Sequence, residues 1–434
     1  MNKHYIVCGL GFGDEGKGSV IDFLCSPAGT ALRGERPVAA VVRHNGGAQT
    51  AHNVVHGLRE HTFAQFGSGS FHGTPTFLSR YMLLDPLALA AEADHLAGLG
   101  IPALDLLTVD RDALVITPYH VAANQAREKA RGLDRHGSCG KGIGETARFA
   151  LEHPDLALRA GDCALPALHL VRKLIRVRDA LAAEGSLLGR RLEPVRDVAD
   201  AYRAFAGRVT LVDGDRHLRR LLKAGPVVFE GAQGVLLDEW HGFHPYTTWS
   251  TTTSSNARVL LAEQGEQGYA LGVTRTYMTR HGAGPFVTED ASLSYPEPHN
   301  GTGEWQGAFR LGHPDALALD YAVQASGGID GLAVTHLDVA TTYLRMCTGY
   351  RIPGTLPGPG GTKITRLNPG NTRDLAWQEG LTRILERAVP VYDGDRVVPD
   401  VLARDLSWVA KVPLVLRSYG PGPGSKLAAA EVLA

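Results

Sequence analysis

Short apolar, β-branched runs alternate along this chain with longer Ala/Leu-rich runs whose apolar positions recur at helical spacing. The short runs predict buried strands at 4–8, 38–43, 227–230, 269–274, 332–335 and 413–417. The longer runs predict helices over Pro86–Leu96, Tyr119–Gly132, Pro166–Glu184, Val195–Ala206, Asp315–Ala325 and Thr372–Ala388. This alternation is the signature of an α/β protein. Connectors rich in glycine and threonine lie at 44–53, 67–76, 136–146, 241–256, 281–288, 299–312 and 354–370. None reads as a disordered linker and no internal repeat is visible, and ordered loops of this length usually line a site.

The first connector carries the most chemistry. Tyr5-Ile-Val-Cys8 runs into Gly9-Leu-Gly-Phe-Gly-Asp-Glu-Gly-Lys-Gly-Ser19 and then the apolar stretch Val20–Leu24, which predicts strand, glycine loop and helix. Such a loop aims backbone N–H groups and a helix N-terminus at a phosphate. Asp14 and Glu15 inside it point to a metal or a proton handled beside that phosphate. Gly11-Phe-Gly13-Asp-Glu-Gly16 matches a dinucleotide fingerprint literally, but the next strand ends in Arg43-His44 and supplies no ribose-binding acid. An NAD-dependent oxidoreductase is therefore disfavoured. Gly11-x4-Gly16-Lys17 approaches a P-loop, with Gly18 where the metal-binding hydroxyl belongs, so the metal ligand must come from elsewhere and Asp14 is the candidate.

Composition narrows the class without deciding it. At 434 residues the chain can hold one large domain or two to three smaller ones, and 44% hydrophobic with 21% charged residues describes a soluble globular protein. A net charge of −1 gives no drive toward nucleic acid or acidic membranes. No apolar run approaches the ~18 residues of a membrane helix, and Met1–Val7 lacks a signal-peptide pattern. Cysteines at 8, 25, 139, 163 and 347 are odd in number with no C-x-x-C, which predicts a reducing, cytoplasmic setting and speaks against a zinc site. The 18 histidines do not cluster at ligand spacing.

Taken in order, the loops resemble one family, adenylosuccinate synthetase. The carrying segments are Gly13-Asp-Glu-Gly-Lys-Gly18, Arg43-His-Asn-Gly-Gly47 with His52, Gly137-Ser-Cys-Gly-Lys-Gly-Ile-Gly144, Leu158-Arg-Ala-Gly-Asp162, Phe229-Glu-Gly-Ala-Gln-Gly234, Thr279-Arg-His-Gly-Ala-Gly-Pro-Phe286 and Ser418-Tyr-Gly-Pro421. The resemblance implies a single catalytic domain over 1–434, built on a mostly parallel central sheet with long functional loops, and a homodimer. It implies Mg2+-dependent phosphorylation of a 6-oxopurine nucleotide by GTP, followed by displacement of phosphate by L-aspartate. Asp14 then matches the base and metal ligand, with backbone at Ala51 also on the metal. His52 matches the donor to the γ-phosphoryl group, Lys17 the phosphate lysine, and Gln233 the glutamine on the purine O6. Gly13, Glu15, Gly16, Gly18, Asn45, Gln49, Cys139, Lys141 and Thr248 fall to nucleotide and phosphate binding. Asp338, in Thr335-His-Leu-Asp338, matches the reader of the donor base, with Ser418 and Gly420 closing over it.

The chain departs from the family pattern at the acceptor and amine sites. Arg310 alone remains of the arginine cluster that clamps aspartate, with Thr302, Gly303 and Arg280 as candidate helpers; one arginine fork binds one carboxylate well, not two. His281 stands where an apolar residue contacts the purine, and His336 where a lysine packs on the donor base. Arg148 is the nearest candidate for the arginine that reaches across the dimer. These changes spare the phosphoryl-transfer residues, so a retained mechanism on an altered substrate is also expected: (d)GMP with ATP as donor, or a purine analogue. A non-catalytic nucleotide-binding paralogue would have no use for Asp14 and His52 together. Nucleic-acid and membrane partners are not expected.

Overall fold

The computed structural model describes residues 3–132, 135–189, 191–303, 305–340, 344–354, 361–394 and 398–429. Ten strands form one central sheet: β1 (His4–Gly9), β2 (Ala40–Arg43), β3 (Thr76–Leu78), β4 (Leu107–Asp110), β5 (Thr210–Val212), β6 (Val227–Gly234), β7 (Gly268–Arg275), β8 (Gly331–Thr335), β9 (Leu414–Ser418) and β10 (Lys426–Ala428). Their spatial order is β10-β9-β8-β7-β1-β6-β2-β3-β4-β5. Every pairing is parallel except β9 with β10.

β1 is buried along its whole length because it lies at the centre, between β6 and β7. Its side chains alternate between two packed layers, as the pleat requires. Tyr5 and Val7 share a core with Val20, Phe23 and Leu24 of helix α1 (Lys17–Cys25). Ile6 faces the other way, into a core with Leu218, Leu222, Leu260 and Leu261. The chain thus leaves β1, turns through the glycine loop and enters α1 on one face of the sheet.

All six strands and all six helices expected from the sequence form, with ends shifted by a few residues. Helix Leu375–Leu385 starts three residues later than the pattern suggested because Asp374 caps it, accepting from Trp377 N at 3.0 Å. Strand β6 runs four residues past the predicted end and so carries Gln233. Strands β3, β4 and β5 on one flank of the sheet and β10 at the opposite edge were not predicted: at three or four residues each they are too short to set a period. Helices Ile143–Glu152, Gly214–Ala224, Ser255–Ala262 and Pro399–Ala410 are likewise additions to the expected set. Among the described residues no helix is long and apolar enough to cross a membrane.

Candidate functional site

The loops that leave the carboxyl ends of β1, β2, β6, β7 and β8 face one another, where open α/β sheets place their ligands. Between them lies a cleft of about 1080 Å³. Gly13, Asp14, Gly16, Lys17, Gly18, Gln49, Ala51, His52, Cys139, Gln233, Thr248, Arg280, Asp338, Ser418 and Gly420 line it. Glu15, Asn45, Lys141, Thr302, Gly303 and Arg310 lie off its wall.

Glu15 holds the glycine loop from behind. Its Oε1 accepts from Gly11 N at 3.0 Å and Gly13 N at 2.8 Å, and its Oε2 accepts from Lys17 Nζ at 2.5 Å. The carboxylate occupies the room that a side chain at residue 9 would need: a Cβ on Gly9 would stand 2.1 Å from Oε2. The loop therefore closes only with glycine there. Asp14 is left-handed at φ 62°, a conformation costly for a residue with a Cβ, and this turns its side chain into the cleft. Burial alone would raise the Asp14 pKa, but the hydrogen bond and charge of His281, with Arg275 and Lys17 beyond, bring it below the ordinary value. His281 Nε2 lies 3.3 Å from Asp14 Oδ2, and this contact outweighs burial to raise the histidine.

His52 opens the strand His52–His56, one arm of a hairpin with Arg59–Phe63. Its Nδ1 lies 2.6 Å from Glu230 Oε1 in β6. Glu230 also accepts from Ser68 N at 2.9 Å and Ser68 Oγ at 2.5 Å. Burial would raise the Glu230 carboxyl, yet Arg43, His52 and Ser68 together hold it at about 2. With an ionised acceptor at Nδ1, the neutral His52 ring carries its proton there and leaves Nε2 as the unprotonated nitrogen. Burial lowers the His52 pKa more than Glu230 raises it. Glu230, Ser68 and Arg43 were not assigned roles from the sequence. A glutamate ending the apolar run Val227–Phe229 was the available signal, since a buried strand tolerates a charge only where it is paired.

Gln233 has φ 57°, and its Oε1 is buried with no partner among the described residues. Both polar atoms of the Gln49 side chain are in the same state. Both residues line the cleft, so a polar ligand would satisfy atoms that the protein leaves open. Asn45 sets their spacing. Its side chain exchanges two hydrogen bonds with the Ala232 backbone, at 2.7 and 3.1 Å, tying the loop after β2 to the end of β6. Cys139 sits on a loop anchored to helix Pro118–Ala130, where Glu128 accepts from Gly137 N and Asn124 accepts from Gly142 N. Lys141 of that loop points to solvent. Thr248 is fixed by its own N–H to Leu237 O at 2.9 Å.

The end of the cleft expected from the sequence to take the donor base is built by β8 and β9. Asp338 and Ser418 face the cleft there, and His336, at φ 60°, turns its Nδ1 to Thr335 Oγ1 at 2.8 Å. Lys426, missed in the sequence, donates to the carbonyls of Gly420, Pro421 and Gly422 and shapes the closing turn. Of the five non-glycine residues with positive φ among those described, Asp14, Gln233 and His336 line this one cleft, a clustering of backbone strain that marks functional sites.

Of the residues assigned to the amine substrate, Arg280 and Arg310 are cross-strand partners, in the pairing of Met278–His281 with Phe309–Gly312, and both are engaged by the protein itself. Arg310 binds Glu289 at 2.8 Å and Gly284 O at 2.9 Å. Arg280 is buried and braces the loop after it through Ala283 O and Pro285 O. Thr302 and Gly303 sit on an exposed turn closed by paired Gly303 and Gly307 backbone bonds. Arg275 lines the cleft nearby, with its charge committed to Glu297 and its Nη2 donating to Tyr277 Oη at 2.5 Å.

A mostly parallel α/β fold with a glycine loop, a lysine and an acid lining one cleft is the arrangement of a nucleotide-binding enzyme. The sequence model described as Adenylosuccinate synthetase matches residues 6–388. The chain belongs to the adenylosuccinate synthetase family, C–N ligases of purine biosynthesis. It is 31% identical over 455 aligned positions to the adenylosuccinate synthetase of Acidithiobacillus ferrooxidans, covering all of both chains. It is 34% identical to that of Neisseria gonorrhoeae strain FA 1090, covering 97% of each. The fully ligated adenylosuccinate synthetase of Plasmodium falciparum shares the fold at TM-score 0.80 and 20% identity, over 98% of this chain and 100% of that one. The succinoaminodeoxyadenylate synthetase of cyanophage S-2L, bound to dGMP and dATP, superposes at TM-score 0.58 and 16% identity, over 100% of this chain and 97% of the phage protein.

Proposed function

We propose that this cleft moves the γ-phosphoryl group of a nucleoside triphosphate onto O6 of IMP, and that L-aspartate then displaces it to give the N6-succinyl-aminopurine nucleotide. The observation that carries the reading is the convergence of Asp14, Lys17, His52 and Gln233 on one cleft, with Glu230 behind the histidine. In the first step the O6–P bond forms, the bond to the donor diphosphate breaks, and the purine N1 proton passes to Asp14. In the second step the amine attacks C6 and phosphate leaves with O6. A lactam oxygen is a poor leaving group and phosphate a good one, which is what the nucleoside triphosphate supplies.

The resting His52 is neutral. A phosphoryl anion beside Nε2 would favour its protonated form, and Nε2–H would then donate to the developing charge while Glu230 steadies Nδ1–H. The donor set also fits Mg2+, a hard cation that takes oxygen ligands: the ionised Asp14 carboxylate and the Ala51 carbonyl would hold it. When bound, it would neutralise charge on the donor phosphates. GTP is the donor on this reading, with Asp338 accepting from guanine N1–H and N2–H.

One observation favours a second reading. His281 sets a polar ring against Asp14 at the acceptor end, a polar neighbour for an acceptor that carries a 2-amino group. Phosphate release with Mg2+ and L-aspartate, measured for IMP, GMP and dGMP against GTP and ATP with product masses, separates the two. Release with IMP and GTP, and a succinyl adduct, supports the first reading. Release confined to GMP or dGMP replaces it with the second, and no release from any pair overturns both.

A further inference from the structure

Behind the phosphate loop, and outside the cleft, the fold gathers three side chains from distant parts of the chain. Asp22 lies on α1, His56 ends the strand that His52 begins, and His72 lies in the single turn Ser70–His72. One ligand atom from each falls within 4.8 Å of the others. Asp22 is fully buried; its Oδ1 lies 2.8 Å from His72 Nε2, and its Oδ2 has no partner among the described residues. His56 Nδ1 is also buried without one. The two imidazoles meet edge to face at 4.8 Å between centroids, and His56 stacks on Phe71. A simple Asp22–His72 hydrogen bond leaves a carboxylate oxygen and an imidazole nitrogen without a hydrogen-bond partner among the described residues. A cation satisfies both.

We propose that Asp22, His56 and His72 bind a zinc-class divalent ion. Two imidazoles and one carboxylate suit zinc or its first-row neighbours rather than Mg2+, which prefers oxygen alone. Metal–ligand distances of about 2.0–2.2 Å ask the ligands to draw inward by roughly an ångström or less, and His56 is half-buried. The ion would tie α1, which starts at Lys17, to the strand that starts at His52, fixing two site elements from behind. The positions 22, 56 and 72 form no sequence motif, and only the packing of α1 against the hairpin brings them together. The other grouping of this kind, Glu152, His153 and Glu184, is surface-facing, and its carboxylates are held by Arg148 and Arg127.

The test is titration of the metal-free full-length protein with Co2+, followed by displacement with Zn2+. One equivalent with visible absorption of a low-coordinate site is expected, and Zn2+ should raise the melting temperature. His56→Ala and His72→Ala should each weaken Co2+ about tenfold or more and abolish the Zn2+ shift, with an unchanged far-ultraviolet circular dichroism spectrum of the metal-free proteins as proof of folding. Asp14→Asn and His153→Ala should keep the Co2+ spectrum. Absence of a stoichiometric band in the parent protein, binding unchanged in both histidine variants, or loss of the band in Asp14→Asn or His153→Ala would overturn the assignment.

Discussion

At the scale of single residues, the site divides into groups that meet the substrate and groups that set their charge. Asp14→Asn keeps the shape of the loop and removes the base, so turnover should fall to background while nucleotide still binds; retention of near-native turnover would refute the role. His52→Ala should slow phosphoryl transfer by about 10²-fold or more, read as single-turnover phosphate release. Glu230 gives a prediction with a sign. Its folded pKa is depressed, so it contributes stability that is fully present above the unfolded value of about 4.3 and lost as pH falls toward about 2. The contribution is about 3 kcal/mol. His52, whose folded pKa is also lowered, works in the same direction. Glu230→Gln should therefore be less stable at neutral pH and lose less stability than the parent between pH ~5 and ~2, as denaturant midpoints would record. Asp14 and Lys17 were legible because they sit in the glycine loop between a strand and a helix, whereas His52 and Gln233 were picked out by the resemblance to the family's segments. Glu230 and Arg275 were not legible, because their meaning lies in contacts made across 178 residues to His52 and 22 residues to Glu297; His281 was legible as a departure at the purine site, but its contact with Asp14 was not.

At the scale of elements, the alternating pattern located the six strands β1, β2, β6, β7, β8 and β9. It missed β3, β4 and β5 on one flank and β10 at the opposite edge, where three or four residues carry no period. Helix α1 and the hairpin strand His52–His56 meet so closely that a Cβ on Gly18 would stand 2.7 Å from His52 Cβ. Gly18→Ala should push the hairpin outward, lower activity more than stability, and leave the overall circular dichroism unchanged. Arg310, on the strand Phe309–Gly312, behaves differently. Arg310 is spent on Glu289 and the Gly284 carbonyl, so Arg310→Ala should loosen the Gly282–Pro285 loop. Its KM for aspartate should rise by less than the hundredfold expected of a residue that clamps a carboxylate; a larger rise would place Arg310 on the amine substrate.

At the scale of the whole molecule, the carboxyl edge of one parallel sheet brings five loops to one cleft, and the long connectors that lack a hydrophobic period are the ones that build it. We expect a homodimer with unshared sites. Arg148, the candidate to cross between subunits, is engaged by Glu145, Glu152 and Glu184 of its own chain. Specific activity should hold constant on dilution through dimer dissociation followed by light scattering, and a fall in parallel with dissociation would show a shared site. The central claim is that the purine oxygen leaves as phosphate. The most direct measurement uses IMP carrying heavy oxygen at the 6-position, with GTP, Mg2+ and L-aspartate, and follows the label by mass spectrometry. The account predicts one labelled oxygen in each phosphate released and none in the N6-linked product; label left in water or in the nucleotide, with unlabelled phosphate, would contradict it.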